Sequence, residues 1–95
     1  MNLKKGSKLY VRVDKVGEEK ITQEDIKDHM DYVESIAAER FFIGGGFANF
    51  DGGMILMEAK NIAEARKIFH NDPLIMKGFY NCEVYAWKLV VMSEQ

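Results

Sequence analysis

Residues 41–59 read FFIGGGFANFDGGMILMEA, and the fold turns on how this stretch divides. Phe41, Phe42 and Ile43 are aromatic and β-branched residues of the kind that suit a half-buried strand. Gly44-Gly45-Gly46 ends that run, and residues 47–50 extend it after a bend. Asp51-Gly52 is a hairpin turn signal, because glycine takes the positive backbone angles that tight hairpins need. Residues 54–59 form the next strand. The centre of the chain thus reads as two successive strands with no helix between them.

The flanks supply the helices. Upstream, Ile26, Met30, Val33, Ile36 and Ala37 recur at helical spacing within residues 23–39. Thr22 stands where an N-cap would accept a bond from an unpaired first-turn amide, and Glu24 and Asp25 place negative charge at the helix start. Downstream, Asn61 and Glu64 have the spacing of a capping box, and Ile62, Ala65, Ile68 and Phe69 give a short helix its buried face. Pro73 cannot continue that helix and pushes Asp72 out of helical geometry. Residues 74–81 read as a connector with room for one helical turn.

The outer segments are strands. Residues 8–14 alternate, with Leu9, Val11 and Val13 on one side and Tyr10, Arg12 and Asp14 on the other. Residues 15–20 are a polar loop, residues 83–92 the last strand and residues 93–95 a tail. The order is β-α-β-β-α-β, which predicts an α+β ferredoxin-like domain spanning residues 1–95, an antiparallel sheet with two helices on one face. Residues 54–57 are apolar on both sides of their strand, and so is the last strand, with Val84, Ala86 and Val90 opposite Tyr85, Trp87 and Leu89. A sheet with one wet face should alternate cleanly. A second copy of the same sheet is the expected cover, giving a homodimeric α+β barrel, with a partly exposed apolar face as the alternative.

Bulk composition narrows the function classes. The 95 residues are 47% hydrophobic, with a net charge of −2 and a pI near 5.7. There is no basic excess to neutralise phosphates or a membrane surface, which argues against nucleic acid and membrane partners. No segment nears the roughly 20 apolar residues of a membrane helix, and the start lacks a signal-peptide pattern. The lone Cys82 suits a reducing compartment, so a cytoplasmic location is expected. Cys82 itself reads as structural, and His70 as a surface residue at a helix end.

Two residues have a chemical rationale. His29 lies beside the apolar stripe of the first helix, three residues after Ile26 and four before Val33. An imidazole there is a proton carrier at neutral pH, or simply a core-edge residue bonded to a carbonyl. Asp72 is an orienting carboxylate for it, or simply a helix-stop residue bonded to nearby amides. Asp28 and Asp31 beside His29 point in other directions and make no metal site.

Taken together, His29, Asp72-Pro73, Gly44-Gly45-Gly46, the segment Asn61-Ile62-Ala63-Glu64-Ala65-Arg66 and Val84-Tyr85-Ala86-Trp87 resemble the YCII-related family of small dimeric α+β barrel proteins. The likeness runs from about Leu9 to Val91. It implies that His29 and Asp72 form a His–Asp active site. Phe47 after Gly46 replaces the family's common Gly-Pro, and Arg40 stands where glycine usually follows the first helix. These departures bear on the cleft more than on the fold. The resemblance implies cofactor-independent proton transfer or elimination, lyase- or dehydrohalogenase-like, on a small, partly apolar ring compound. Gly45, Gly46, Phe41, Phe47 and Tyr80 are expected to wall the cleft, with no metal and no organic cofactor. The rival readings are a small-ligand-binding or stress-responsive dimer without catalysis, and a cofactor-free oxygenase of the dimeric barrel type.

Overall fold

The computed structural model describes residues 5–17 and 20–93. The tail readings at residues 1–4 and 94–95, and the loop reading at Glu18 and Glu19, lie outside them. The elements run β1 (Lys8–Val16), α1 (Gln23–Ala37), β2 (Phe42–Gly46), β3 (Gly52–Met57), α2 (Ile62–His70), α3 (Pro73–Met76) and β4 (Tyr80–Lys88). The four strands form one antiparallel sheet in the order β2-β3-β1-β4. This is the expected split βαββαβ arrangement.

Local chemistry sets the helix ends. Thr22 caps α1 through a full capping box, its hydroxyl accepting from the Asp25 amide while the Asp25 carboxylate accepts from the Thr22 amide. Asn61 caps α2 by accepting from the Glu64 amide at 2.9 Å. The return arm of that second box is displaced by one residue. Glu64 accepts from the Lys60 amide and from Arg40 rather than from Asn61, because the arginine pulls its carboxylate towards the β2 approach. Asp72 caps α3, with Pro73 at the first helical position.

Both longer helices lie on one face of the sheet. Tyr10, Ile55 and Met57 from the sheet pack with Ala65 and Phe69 of α2, and Ile36 of α1 joins their edge. Tyr32 of α1 donates to the Ile68 carbonyl of α2 at 2.6 Å, and Lys77 after α3 pairs with Asp25 at 3.1 Å. These two ties set the height of α1 relative to α2 and α3.

Four sequence expectations are corrected. The three glycines are strand residues rather than a bend, because extended backbone on an edge strand requires no side chain. Residues 47–50 belong to the connecting loop, which closes with the Phe47 amide donating to the Gly52 carbonyl at 2.9 Å. The last strand begins at Tyr80 and ends at Lys88, following the nine-residue register it shares with β1. Finally, Ile26 and Met30 are 49% and 42% exposed; the α1 stripe reaches the core only from Val33 onward.

No helix among the described residues is long and apolar enough to cross a membrane. Met57 is fully buried on a central strand. Met57→Ala is expected to lower the unfolding free energy by about 2–5 kcal/mol. Lys27→Ala, which removes an exposed ion pair with Asp31, is expected to change it by less than about 0.5 kcal/mol. Urea denaturation followed by circular dichroism measures both.

Candidate active site

The site is built at the junction of α2 and α3. Asp72 leaves the helical region at φ −62°, ψ 128° to cap α3, and this turn points its carboxylate into the protein, where it is fully buried. Oδ1 accepts from the Leu74 amide at 3.0 Å. His29 Nδ1 lies 2.8 Å from both carboxylate oxygens. The pair that sequence separates by most of the second half of the fold is therefore in direct contact. A carboxylate only accepts, so Nδ1 carries the proton and Nε2 is left as the free nitrogen. The imidazole is 20% exposed and lines an open cleft.

Beneath them lies Arg12, 1% exposed on the central strand β1. Its Nη2 sits 2.9 Å from Asp72 Oδ2 and donates to Asp14 Oδ2 at 2.9 Å, and its Nη1 donates to the Phe69 carbonyl at 3.1 Å. The guanidinium also lies 5.7 Å from the Phe69 ring centroid. One cation thus holds two buried carboxylates and the C-terminal end of α2, where a positive charge is favoured.

The two carboxylates respond oppositely. Burial alone would push Asp72 up, but the His29 bond, the Arg12 charge and the Leu74 amide outweigh it and hold Asp72 below the usual carboxylate range. For Asp14 burial wins over Arg12 and pushes the carboxyl up.

The cleft above this cluster holds about 550 Å³ and opens between α1 and the β2–β3 hairpin. Ile26, Met30, Val33 and Ala37 form one wall. The other contains Gly44, Gly45, Gly46, Gly52 and Gly53, which offer no side chains to fill the gap. This is why Ile26 and Met30 stay exposed. A Cβ on Gly44 would meet the Ile55 side chain at 2.9 Å, whereas one on Gly46 would come no closer than 3.6 Å to any neighbour.

Of the expected wall residues, Gly45, Gly46 and Tyr80 line the cleft, and Phe41 and Phe47 do not. Phe42 takes their place, because strand alternation gives it the same side as Gly44 and Gly46. Phe47 instead packs edge-on against Phe50 at 6.3 Å. His70 is exposed and bonds the Arg66 carbonyl, and Cys82 is half-buried opposite Asp14 in the β1–β4 register. Arg12 and Asp14 are the site residues that sequence reasoning missed. Among the described residues no group of three or more His, Cys, Asp or Glu side chains is placed to hold a metal.

The model of the YCII-related domain matches residues 9–88. The chain belongs to the YCII-related family. A similar protein, the uncharacterised protein YjpA of Bacillus subtilis (strain 168), is 35% identical over 72 residues, covering 75% of this chain and 85% of YjpA. Two solved structures share the fold. The 5-chloro-2-hydroxyhydroquinone dehydrochlorinase TftG of Burkholderia phenoliruptrix AC1100, in complex with 2,5-dihydroxybenzoquinone, superposes with a TM-score of 0.61 at 22% identity, covering 83% of this chain and 93% of TftG. A dimeric ferredoxin-like protein of unknown function from Thermobifida fusca YX gives a TM-score of 0.54 at 9% identity, covering 93% and 97%.

The Asp72 network has a definite pH sign. A carboxyl held low in the fold contributes stability above its unfolded pKa of about 4, lost as pH falls through the folded value. Asp72→Asn is expected to cost about 3 kcal/mol at pH 7, because it removes the buried charged acceptor that His29 Nδ1 and Arg12 Nη2 share. The difference from wild type should shrink below about pH 4. Denaturant titrations at pH 7 and pH 3 check the sign, and an equal difference at both would contradict it.

Proposed function

We propose that this protein is a cofactor-independent enzyme in which His29 moves a proton on a small, partly apolar ring compound. The observation that carries the reading is the fixed imidazole: Nδ1 is committed to buried Asp72, and the ring lines a cleft of substrate size. Asp72 orients the ring and stabilises the imidazolium that forms on proton uptake. The apolar wall of α1 and the flat glycine wall of β2–β3 suit a planar ring slid between them. In an elimination, His29 takes a proton from a C–H or O–H of the ring, the electrons of that bond form the new double bond, and the halogen leaves as halide with the electrons of the carbon–halogen bond. The fold is similar to that of TftG, a dehydrochlorinase, which supports testing this reaction class first.

We further propose that the working unit is a homodimer joined through the outer face of the sheet. That face carries Val11, Met54, Leu56, Tyr85 and Trp87, and Met54, Tyr85 and Trp87 are 40%, 50% and 48% exposed. Apolar clusters of this kind usually mark an association surface. The similar protein from Thermobifida fusca is dimeric.

The test of the activity is chloride release from 5-chloro-2-hydroxyhydroquinone. His29→Gln is expected to lower kcat/KM at least about 100-fold with the fold intact, and Gly46→Leu is expected to abolish binding by filling the slot. Retained turnover in His29→Gln would sink the reading; binding without turnover in the wild type would favour a ligand-binding module. For the dimer, sedimentation velocity should show two copies in the wild type and one in Trp87→Glu. A monomeric wild type at micromolar concentration would contradict it.

A further inference from the structure

Asp14 is a buried carboxyl that the His29–Asp72 pair does not use, and it lines the same cleft. It lies at the far end of β1, opposite Gly53 on β3 and Cys82 on β4. Gly53 contributes no side chain on the β3 flank of Asp14, and the Asp14 side chain keeps 9% exposure at the cleft. Its Oδ2 accepts from Arg12 Nη2, while Oδ1, 2.9 Å from Arg12 Nε, makes no hydrogen bond.

Charge counting singles it out. Asp14 and Asp72 share one guanidinium, so with a neutral His29 the cluster carries a net charge of −1. Protonation of either Asp14 or His29 restores neutrality in this buried setting. The groups facing Asp14 are Arg12 on its own strand, Asp72 at the α2–α3 junction, His29 on α1 and Cys82 on β4, with Glu34 and Tyr80 also on the cleft wall. Among the described residues lining the cleft, Arg12 is the one permanent cation, and it is already held by Phe69, Asp14 and Asp72. The cleft therefore favours a neutral ligand over an anion.

We propose that Asp14 is the second proton-carrying group of this site, neutral at rest, donating a hydrogen bond and then its proton to a ring oxygen of the ligand while His29 removes a proton elsewhere on the ring. The upward push of burial on this carboxyl agrees with that role. In the step, a C–H or O–H bond to the ring breaks, its proton goes to His29, and the electron pair moves through the ring to a carbonyl oxygen. A new O–H bond forms there with the proton from Asp14. No proton is gained or lost overall, and no oxidant or reductant is needed. The ligand class is a neutral planar ring bearing at least two oxygen substituents. The proposal rests on the proton-transfer reading of His29 and names its counterpart.

Two measurements test it without requiring turnover. Carboxyl 13C NMR of the wild type, with the Asp14 signal assigned by its loss in Asp14→Asn, should show Asp14 titrating above the usual carboxylate value of about 4. A midpoint at or below 4 overturns the proposal. Binding of 4-pyrone, a neutral planar ring that only accepts hydrogen bonds, and of p-xylene, which neither accepts nor donates, is then compared by calorimetry in wild type, Asp14→Asn and Asp14→Ala, each checked by circular dichroism. The wild type should prefer 4-pyrone. Asn, a neutral donor, should keep 4-pyrone affinity within about threefold, and Ala should weaken it about tenfold or more while leaving p-xylene unchanged. Equal loss of both rings, or 4-pyrone binding to Asp14→Ala as tight as to the wild type, overturns it. Failure of His29→Gln to affect turnover would instead sink the proton-transfer reading, while the Asp14 titration and binding results stand on their own.

Discussion

The Asp72 carboxylate is the point on which the architecture of the site depends. It satisfies the first amide of α3, fixes the imidazole of α1 and takes one arm of the β1 guanidinium. Three elements, α1, α3 and β1, meet at two oxygen atoms. A fully buried carboxylate is expensive unless charged and neutral donors surround it, and here they do. The same desolvation that would penalise an isolated Asp72 makes each of these bonds stronger and more directional. The Asn-Asp-Pro turn therefore does more than stop a helix. Pro73 fixes the chain direction after α2, and that direction carries the carboxylate inward.

The cleft exists because five glycines make up much of one wall. α1 is held away from the sheet at its N-terminal half and reaches the core only near Val33 and Ile36. A side chain at position 46, where a Cβ would meet nothing closer than 3.6 Å, would fill that gap and cover the Ile26–Met30 stripe. With glycine there, the apolar stripe faces a slot instead. Water in such a slot is poorly satisfied by its walls, so a flat apolar ligand gains by displacing it. Polar groups gather at the floor, where His29 and Asp14 flank the buried arginine, with Glu34 and Tyr80 on the wall.

Much of this was legible from local chemistry. Thr22 and Asn61 cap helices by bonds within their own first turn, and Pro73 acts on its immediate neighbours, so sequence spacing was enough. The doubly apolar strands marked the apolar patch on the outer face of the sheet. The pairing of His29 with Asp72 came from the family resemblance, because periodicity places each residue on its own helix but says nothing of where the two helices meet. Arg12 and Asp14 were missed for a different reason. Alternation separates the two sides of β1 but does not say which side turns inward, and charge ordinarily turns outward. Here the charged side is the buried one, because Asp72 supplies the partner that makes burial tolerable. The glycine strand was misread as a bend because glycine usually interrupts strands, whereas on this edge its bareness shapes the cleft.

The β2–β3 hairpin links the two faces of the sheet. Met54 borders both the cleft and the outer apolar patch, and Ile43, on β2, lines the cleft while remaining half-exposed. A strand reading Phe-Ile-Gly-Gly-Gly has few side chains to hold its shape, and glycine gives up more backbone freedom on ordering than any other residue. Its neighbour β3 anchors it on one edge only, since β2 lies at the end of the sheet. With a second copy covering the outer face, as proposed, Ile43 and Met54 would gain packing on the side away from the ligand. That packing would stiffen the bare wall without placing an atom in the slot. Association would then be a condition for a well-shaped cleft as well as a way to bury apolar surface, and ligand affinity should depend on protein concentration near the dimer dissociation constant.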